Sequence, residues 1–273
     1  MRVAYLGPAG TFSEEAARAA DRAAGAELMP ETTIADAIEA VALGHADEAI
    51  VPIENSIEGS VAQTLDTLAD RSDVTIVAEQ VLPVSHFLVA ARDLAEREIE
   101  RVVSHPQPLG QCAHWLRAHT PAAELVAASS TADAVREVAA SDAPWAAIGT
   151  RRAAELYGGT VLAEGIEDEA GNATRFVWVA PAGADVGSPA KTSIVFWGAG
   201  DDTPGWLVRC LSEFAFRGVN LTKIESRPLR GRLGHYRFFV DLDLGLDAPD
   251  AAEAVAALRG HCEGVRVLGT YPT

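Results

Sequence analysis

The feature that most constrains the fold is an alternation of short apolar runs with alanine-rich stretches, which continues through residues 1–180. The apolar runs have the length and composition of strands, and the stretches between them are typical of helices. Strands that alternate with helices in this way form α/β layers with a parallel sheet. The predicted strands are 2–6, 48–53, 74–78, 84–90, 101–104, 124–128, 145–149, 160–163 and 175–180. The predicted helices are 13–24, 34–43, 59–69, 109–119, 131–140 and 151–157.

The alternation stops at residues 181–190, which contain two prolines and two glycines and show no periodicity. Such a segment is typical of a linker, and it divides the chain into a first domain, residues 1–180, and a second, residues 191–273. The second domain is predicted to contain strand 191–197, helix 204–218, strands 219–228 and 235–244, helix 248–260 and strand 264–271. This βαββαβ order is that of the ferredoxin-like unit, whose small sheet leaves edges that often pair with a second copy.

The charge balance limits the partners of the chain. With 22 Lys and Arg against 39 Asp and Glu, the formal net charge is −17. A field of this sign repels nucleic acid and anionic membranes, although it also simply favours solubility. An anionic ligand would therefore have to be held locally, by helix N-termini and a few arginines.

The termini and cysteines indicate a cytoplasmic location. Residues 1–13 lack the apolar core of a secretory signal, and the longest apolar runs fall far short of the roughly 18 residues that suggest a membrane span. The cysteines, Cys112, Cys210 and Cys262, are odd in number and far apart. They favour a reducing compartment over a disulfide framework.

Two polar motifs follow predicted strands in the first half of the chain. The first, GPAGTFSEEAA at 7–17, offers Thr11 and Ser13 at the start of a helix, and Thr11 with Glu14 fits a capping box. The second, VPIENSIEGSV at 51–61, offers the ligand candidates Asn55, Ser56 and Gly59. Ligands of open α/β sheets bind at the carboxyl ends of strands, but ordinary helix caps explain the same residues. Together the motifs leave a binding cleft and plain capping equally open.

The third motif, SHPQPLGQC at 104–112, places His105 after a strand and Gln111 near a helix start. Either side chain could face a ligand, and a structural histidine is the alternative. Cys112 belongs to an apolar stripe and is predicted to be core rather than a nucleophile. The histidines show no spacing typical of a metal site.

The fourth motif, GNATRF at 171–176, puts polar residues at the mouth of an apolar strand. Thr174 and Arg175 are predicted to point into the same cleft, as a hydroxyl and a cation. The alternatives are that the threonine merely favours the strand and that the arginine forms surface ion pairs.

These four motifs, followed by NLTKIESRP at 220–228, resemble prephenate dehydratase with its C-terminal ACT domain, over nearly the whole chain. The resemblance implies decarboxylative dehydration of prephenate to phenylpyruvate on the route to phenylalanine. It implies an α/β fold with a two-lobed, periplasmic-binding-protein-like catalytic domain, and a ferredoxin-like βαββαβ ACT domain. It implies that Thr174 is the catalytic residue, with no metal or organic cofactor required. The candidates for substrate binding are Thr11, Ser13, Asn55, Ser56, Gly59, His105, Gln111, Arg175 and Phe176.

The same resemblance implies that phenylalanine binds the ACT domain as an effector and that the chains assemble as homodimers or homotetramers through that domain. The expected effector-binding residues are Gly205, Leu207, Val208, Asn220, Leu221, Glu225 and Ser226. Two residues depart from the family pattern: Trp206 replaces a small residue, and Pro108 replaces an alanine. No chorismate mutase segment precedes residue 1, so the single-activity form is expected.

The chemistry suggests a role for each group. Loss of carbon dioxide drives aromatisation, so the protein needs only to help the ring hydroxyl depart and to fix the geometry. We expect Thr174 to pass a proton to the leaving oxygen, while hydroxyls, helix N–H groups and Arg175 bind the two carboxylates. Arogenate dehydratase, which has the same motifs, and a non-catalytic amino-acid sensor are the alternatives. The absent signal sequence disfavours a periplasmic solute-binding protein.

Overall fold

Strands and helices alternate as the sequence predicts in the computed structural model, which describes residues 1–198, 202–229 and 233–273. The α-helices are α1 Phe12–Ala19, α2 Ile34–Ala42, α3 Ala62–Asp70, α4 Pro106–Gln111, α5 Ala113–His119, α6 Thr131–Ala139, α7 Arg151–Tyr157, α8 Trp206–Ala215 and α9 Pro249–Leu258. The strands of the first half are β1 Arg2–Leu6, β2 Glu27–Glu31, β3 Glu48–Asn55, β4 Gly59–Ser60, β5 Val74–Pro83, β6 Phe87–Ala90 and β7 Arg101–Ser104. Those of the second half are β8 Glu124–Ala127, β9 Trp145–Gly149, β10 Thr160–Glu164, β11 Ala173–Pro181, β12 Lys191–Trp197, β13 Leu221–Pro228, β14 Tyr236–Leu242 and β15 Gly264–Tyr271. None of the helices in these described ranges is long and apolar enough to cross a bilayer.

One large sheet runs through both ends of the chain, in the order β13-β14-β12-β15-β5-β11-β3-β1-β2. Strands β1, β2, β3, β5 and β11, with helices α1 to α3, form what we call the first lobe. Strand β11 lies between β5 and β3 and is antiparallel to both. Because this central strand is covered on both faces, its residues 176–180 are all buried.

A second sheet, in the order β10-β6-β9-β7-β8, forms the second lobe with helices α4 to α7. One of its faces packs Leu88 and Val102 against Cys112 and Leu116 of the helical layer. The other face packs Val89 and Ala147 against residues of α6 and α7. This lobe is therefore a three-layer sandwich, and the two-lobed α/β fold expected from the sequence is confirmed.

The loop before α1 ties the first lobe to the second. The Thr150 hydroxyl donates to the Gly10 carbonyl at 2.8 Å, and the Tyr157 hydroxyl donates to the Ala9 carbonyl at 2.8 Å. The buried Glu14 carboxylate accepts from the Gly10 N–H. Burial alone would raise the pKa of Glu14, but the Gly10 N–H and Arg18 outweigh it and lower that pKa. An ionised Glu14 thus helps to fix the loop that borders the space between the lobes.

Residues 191–273, which we call the C-terminal unit, have the predicted element order βαββαβ. Helices α8 and α9 cover one face of strands β12 to β15, with Phe196, Cys210, Phe214 and Leu258 in the core between them. The sheet of this unit joins that of the first lobe where β15 pairs with β5, at Gly269 and Ile76. Strand β13 is the edge strand of this unit and of the large sheet.

Some element boundaries differ from the predictions. Strand β2 was missed because Pro30 interrupts its apolar pattern, and a proline is tolerated there since β2 lies at an edge of the sheet. The helix predicted over 109–119 is two helices that meet at Cys112, and the first begins at Pro106, where a missing N–H costs nothing. The helix predicted from residue 59 begins at Ala62, because Gly59–Ser60 forms a short strand against β3.

Candidate active site

A cleft of about 780 Å³ lies between the two lobes. This volume falls within the range of small-molecule sites, roughly 300–1,000 Å³. Apolar side chains of Leu6, Phe12, Ile34 and Phe176 form part of its wall. The cleft therefore suits a compact ligand with one apolar ring and several polar groups.

Seven of the predicted site residues converge on this cleft from separate segments of the chain. They are Thr11, Ser13, Asn55, His105, Gln111, Thr174 and Phe176. Three other predicted residues, Ser56, Gly59 and Arg175, do not contribute to its lining. The carboxyl end of β3, the start of α1 and the start of α4 thus meet, as expected for strand and helix ends of an open sheet.

The Arg175 prediction requires a correction, because its side chain lies on the face of the sheet that points away from the cleft. Successive side chains of a strand alternate between faces, so Asn172, Thr174 and Phe176 line the cleft and Arg175 does not. Arg175 instead contacts the carboxylates of Asp241 at 2.7 Å and Glu79 at 3.1 Å. Burial alone would lower the pKa of Arg175, but the charges around it, Asp241 foremost, raise it. The guanidinium is committed to these partners and does not reach a ligand in the cleft.

Ser56 and Gly59 also have structural roles instead of the predicted ligand contacts. The Ser56 hydroxyl accepts from the Ala173 N–H at 3.0 Å, and the Ser56 N–H donates to the Ala173 carbonyl at 2.9 Å. Gly59 has a φ of +84°, which a residue with a side chain rarely adopts, and pairs with Asn55. Ser56 thus holds the end of β3 against the start of β11, and Gly59 holds β4 against the end of β3, so both residues position Asn55.

The Thr174 hydroxyl has a defined hydrogen-bonding role. Asn55 Nδ2 donates to Thr174 Oγ1 at 3.0 Å and to Asn172 Oδ1 at 2.8 Å. The orientation of the Asn55 amide is fixed, because its Oδ1 accepts from the N–H groups of Ile57 and Glu58, both at 3.0 Å. Thr174 therefore acts as an acceptor towards Asn55. Within the described residues its own proton has no acceptor, so that proton is available to the cleft.

A chain of side chains extends from this pair to His86. Asn172 Nδ2 donates to Gln111 Oε1 at 3.2 Å, and His86 Nε2 lies 2.9 Å from the same oxygen. Gln111 Nε2 donates to the Glu58 carboxylate at 3.2 Å, so Oε1 is the atom that faces His86. His86 must therefore carry its proton on Nε2. These hydrogen bonds give each amide between His86 and Thr174 a single orientation: His86 and Asn172 both donate to Gln111, and Asn55 donates to both Asn172 and Thr174.

Sequence reasoning missed His86 as a site residue. It lies in the stretch VSHFLVA, which was predicted as a single strand 84–90, whereas β6 begins at Phe87. Only 1% of His86 is exposed, and its Nδ1 finds no partner among the described residues. A histidine within an apolar stretch was the available signal.

Burial lowers the pKa of His86, with Gln111 and Glu167 acting in the opposite direction. The unfolded chain takes up a proton on this residue below its ordinary pKa of 6.5, whereas the folded chain resists it. Stability is therefore lost as the pH falls below that value. We expect the urea midpoint to drop less between pH 7.5 and pH 5 in His86→Gln than in the parent. Equal drops in the two proteins would contradict a buried neutral His86.

The cleft holds N–H groups and hydroxyls where an anion would bind. Helices α1, α2 and α6 begin at its wall, through Phe12, Ile34 and Thr131. In the described part of the chain its lining contains no lysine or arginine. The predicted capping box is wrong, because the Thr11 hydroxyl donates to the Leu6 carbonyl at 3.0 Å and the Glu14 carboxylate accepts from the Gly10 N–H instead of the Thr11 N–H. Among the residues that the structure describes, no side chain caps the first N–H groups of α1, so these groups are available to a carboxylate.

A second, smaller cavity of about 270 Å³ lies at the start of α8. Gly205, Leu207 and Val208, three of the predicted effector residues, line it together with Tyr236 and Phe238. The other four predicted residues, Asn220, Leu221, Glu225 and Ser226, do not line it within this single chain. The Trp206 ring turns into the core, where its Nε1 donates to the His261 carbonyl at 2.6 Å.

The chain is similar to known proteins over its whole length. A family model described as prephenate dehydratase matches residues 3–183. The prephenate dehydratase of Amycolatopsis methanolica is 44% identical, over 99% of this chain and 88% of that relative. The solved structure of prephenate dehydratase in complex with L-Phe from Arthrobacter aurescens has a TM-score of 0.92 and 39% identity, covering 100% of this chain and 90% of that one. A solved structure described as GqqA, a novel type of quorum quenching acylases, has a TM-score of 0.88 and 29% identity, covering 100% and 98%.

Proposed function

This chain belongs to the prephenate dehydratase family and converts prephenate into phenylpyruvate, water and carbon dioxide, and we propose that the Thr174 hydroxyl is the proton donor of that reaction. The observation that carries the proposal is the bond from Asn55 to Thr174 Oγ1. It occupies the threonine oxygen as an acceptor and leaves the hydroxyl proton to the substrate. Arg175, which the sequence suggested as a ligand for a carboxylate, has no part in this proposal.

The mechanism needs little from the protein beyond placement. Prephenate carries a carboxylate and a hydroxyl at opposite positions of a cyclohexadiene ring. As carbon dioxide leaves, its bonding electrons form the aromatic ring and expel the hydroxyl. Thr174 donates its proton to that departing oxygen, so the leaving group is water, and a solvent proton restores the threonine. A threonine hydroxyl is a weak acid, so it donates only as negative charge develops on the leaving oxygen.

The two carboxylates of the substrate are held by N–H groups in place of cations. The N–H groups at the start of α1, which no side chain of the described residues caps, are suited to this, since helix N-termini bind anions. The buried Ser13 hydroxyl and the half-buried His105 lie among them. Because the described lining contains no lysine or arginine, the cleft orients the dianion through hydrogen bonds and does not attract it strongly by charge. Strong attraction would stabilise the bound substrate as much as the transition state and would not raise kcat.

Release of phenylpyruvate by the purified protein tests the assignment. We expect prephenate to be consumed with a higher kcat/KM than arogenate, which carries an ammonium group where prephenate has a ketone. Faster turnover of arogenate would make the chain an arogenate dehydratase with the same Thr174 chemistry. Consumption of neither compound would favour the non-catalytic sensor.

An acylase reaction has less support from this cleft. Hydrolysis of an amide requires a nucleophile with an adjacent base. The Thr174 hydroxyl is bonded to the Asn55 amide, and His86 Nε2 is bonded to Gln111. Cys112 is buried, and burial raises its pKa to about 12, which keeps it a thiol. We therefore retain the dehydratase.

Residues 191–273 form a regulatory domain of the ACT type, following a linker at 181–190, and phenylalanine is its effector. The βαββαβ order and the cavity at Gly205 support this, as does the bound L-Phe in the relative from Arthrobacter aurescens. A ligand that binds the folded chain stabilises it in proportion to the logarithm of its concentration. We expect L-phenylalanine to raise the Tm and to change turnover, and D-phenylalanine to serve as the control. No effect of either enantiomer on Tm or rate would remove the effector assignment.

The effector residues that do not line the cavity suggest an assembly. Asn220 and Ser226 are exposed, and so are the apolar side chains of Val208, Phe216 and Ile224 on the same unit. A homodimer or homotetramer that pairs C-terminal units would cover these side chains and bring Ser226 of one chain to the cavity of the other. Light scattering in solution measures the mass of the assembly.

The cytoplasm is the proposed location, in keeping with the three free thiols.

A further inference from the structure

Thr174 and Asn55, which share the hydrogen bond at the catalytic hydroxyl, each have a charged neighbour in sequence whose side chain lies on the opposite face of the sheet. Strands β11 and β3 place Thr174 beside Asn55 and Arg175 beside Glu54. Because side chains alternate along a strand, Arg175 and Glu54 point away from the cleft. They point towards the C-terminal unit, which therefore touches the back of the catalytic pair.

Arg175 is held by a buried carboxylate of the C-terminal unit. Its guanidinium donates to Asp241 Oδ2 at 2.7 Å, and only 4% of Asp241 is exposed. The other Asp241 oxygen accepts from the Ser193 hydroxyl at 2.6 Å. Glu79 of β5 accepts from Arg175 at 3.1 Å and also pairs with Lys191 at 3.0 Å. Asp241 is thus fixed by its own unit and in turn fixes the residue that follows Thr174.

Glu54 is held in the same way by Lys223 of β13. Lys223 Nζ lies 3.0 Å from Glu54 Oε1 and donates to the Ser60 hydroxyl at 2.7 Å. The Lys223 side chain is only 7% exposed and that of Glu54 is 37% exposed, so solvent screens this pair only in part. The same strand continues to Glu225, which accepts from Ser60 at 3.3 Å, and to Ser226. The strand that carries the expected effector residues therefore contacts the neighbour of Asn55 directly.

We propose that Lys223 and Asp241 are positioning residues for the dehydration, which hold Asn55 and Thr174 in register through Glu54 and Arg175. This proposal rests on the proposed function, because it assumes that the Thr174 hydroxyl is the proton donor. When Asp241 or Lys223 is neutralised, a charge beside the catalytic pair loses one of its partners and shifts towards those that remain: Arg175 keeps Glu79 at 3.1 Å, and Glu54 keeps Arg175 at 3.2 Å. Because the hydroxyl must meet the leaving oxygen within a narrow geometry, a small shift lowers the rate of chemistry more than binding.

Three variants of the full-length chain test this through the split between kcat and KM. We expect Asp241→Asn and Lys223→Met each to lower kcat by about tenfold while KM stays within about twofold. Lys223→Arg keeps the cation and is expected to keep kcat within about threefold of the parent. Unchanged kcat in both Asp241→Asn and Lys223→Met would overturn the proposal.

Asp70→Asn is the matched control. Asp70 pairs with Arg237 of the C-terminal unit at 2.6 Å, but it lies at the end of α3, away from β11 and the end of β3. Asp70→Asn removes one carboxylate of an ion pair between the first lobe and the C-terminal unit, and kcat should stay within about twofold of the parent. A loss equal to that of Asp241→Asn would show a general loosening and would contradict positioning.

A double-mutant cycle guards against a variant that merely folds poorly. Glu54 is 37% exposed, so Glu54→Gln together with Lys223→Met removes both charges with little cost in folding. We expect the double variant to recover part of the kcat lost in Lys223→Met, because no charge is left unpaired. Additive losses would overturn the coupling between Lys223 and the catalytic pair.

Thr174→Val distinguishes failure of the proposed function from failure of this proposal. If Thr174→Val keeps the turnover of the parent, the proposed function and this proposal both fail. If Thr174→Val loses turnover while Lys223→Met and Asp241→Asn keep it, this proposal alone fails.

Discussion

Thr174→Val is expected to lower kcat by about 10²- to 10⁴-fold and to leave KM nearly unchanged, the range that removal of a general acid typically produces. Valine has the shape of threonine but no hydroxyl, so the β-branched packing at the mouth of β11 is preserved. Asn55 Nδ2 loses one acceptor and keeps Asn172 Oδ1 at 2.8 Å and the Ala173 carbonyl at 3.2 Å. The folded state should therefore lose only about 1 kcal/mol, the usual net value of one hydrogen bond.

Thr174→Ser separates the hydroxyl from the methyl group. It keeps the acceptor for Asn55 and the proton for the cleft, and we expect kcat within about tenfold of the parent. Both rates are measured as phenylpyruvate formed under saturating prephenate, with Tm recorded for each variant. If valine sustained the turnover of serine, the hydroxyl would have no chemical role, and the proton would have to come from another group.

The positions of the strands were easier to predict than the directions of the side chains at their ends. The apolar run of β11 is evident because a central strand is buried on both faces, and the mouth of that strand was recognised as polar. The error at Arg175 was avoidable, since the alternation of a strand cannot direct both Thr174 and Arg175 into one cleft. The motif directs attention to three polar residues, but the strand geometry assigns them to two faces.

The remaining site residues depend on contacts between segments that are distant in sequence. Gln111 and Asn172 are 61 residues apart, and His86 and Gln111 are 25 apart. A sequence motif shows only that a polar residue lies near the end of a strand or helix. The contact between the packed lobes is needed to show that Gln111 Oε1 accepts from both His86 and Asn172. The partners of Arg175 and Glu54 in the C-terminal unit were likewise hidden, because the junction of β5 with β15 has no local signal beyond a glycine.

Gly269→Ala is expected to lower the free energy of unfolding by about 2–3 kcal/mol, within the range for overpacking at a rigid site. Gly269 pairs with Ile76 where β15 of the C-terminal unit meets β5 of the first lobe. A Cβ at this position would collide with the Ile76 carbonyl oxygen and lie 2.6 Å from Ile76 Cβ. Ile76 is fully buried and its strand is paired with β11 on the other side, so neither backbone can give way without separating the two strands.

Calorimetry of the full chain measures this effect, and a decrease in Tm of about 4–12 °C corresponds to the expected loss of stability for a chain of this size. Gly110→Ala is the matched control, because an added Cβ meets nothing within 4 Å there and the residue lies in helix α4. That change should leave Tm unchanged or raise it slightly, since alanine favours a helix over glycine. Because β15 and β5 are the strands through which the large sheet continues from one unit to the other, a Tm for Gly269→Ala equal to that of the parent would mean that this junction is loosely packed. The two units would then be held together chiefly by the apolar core that Val195, Phe239 and Tyr271 share with the first lobe and by ion pairs such as Arg175–Asp241.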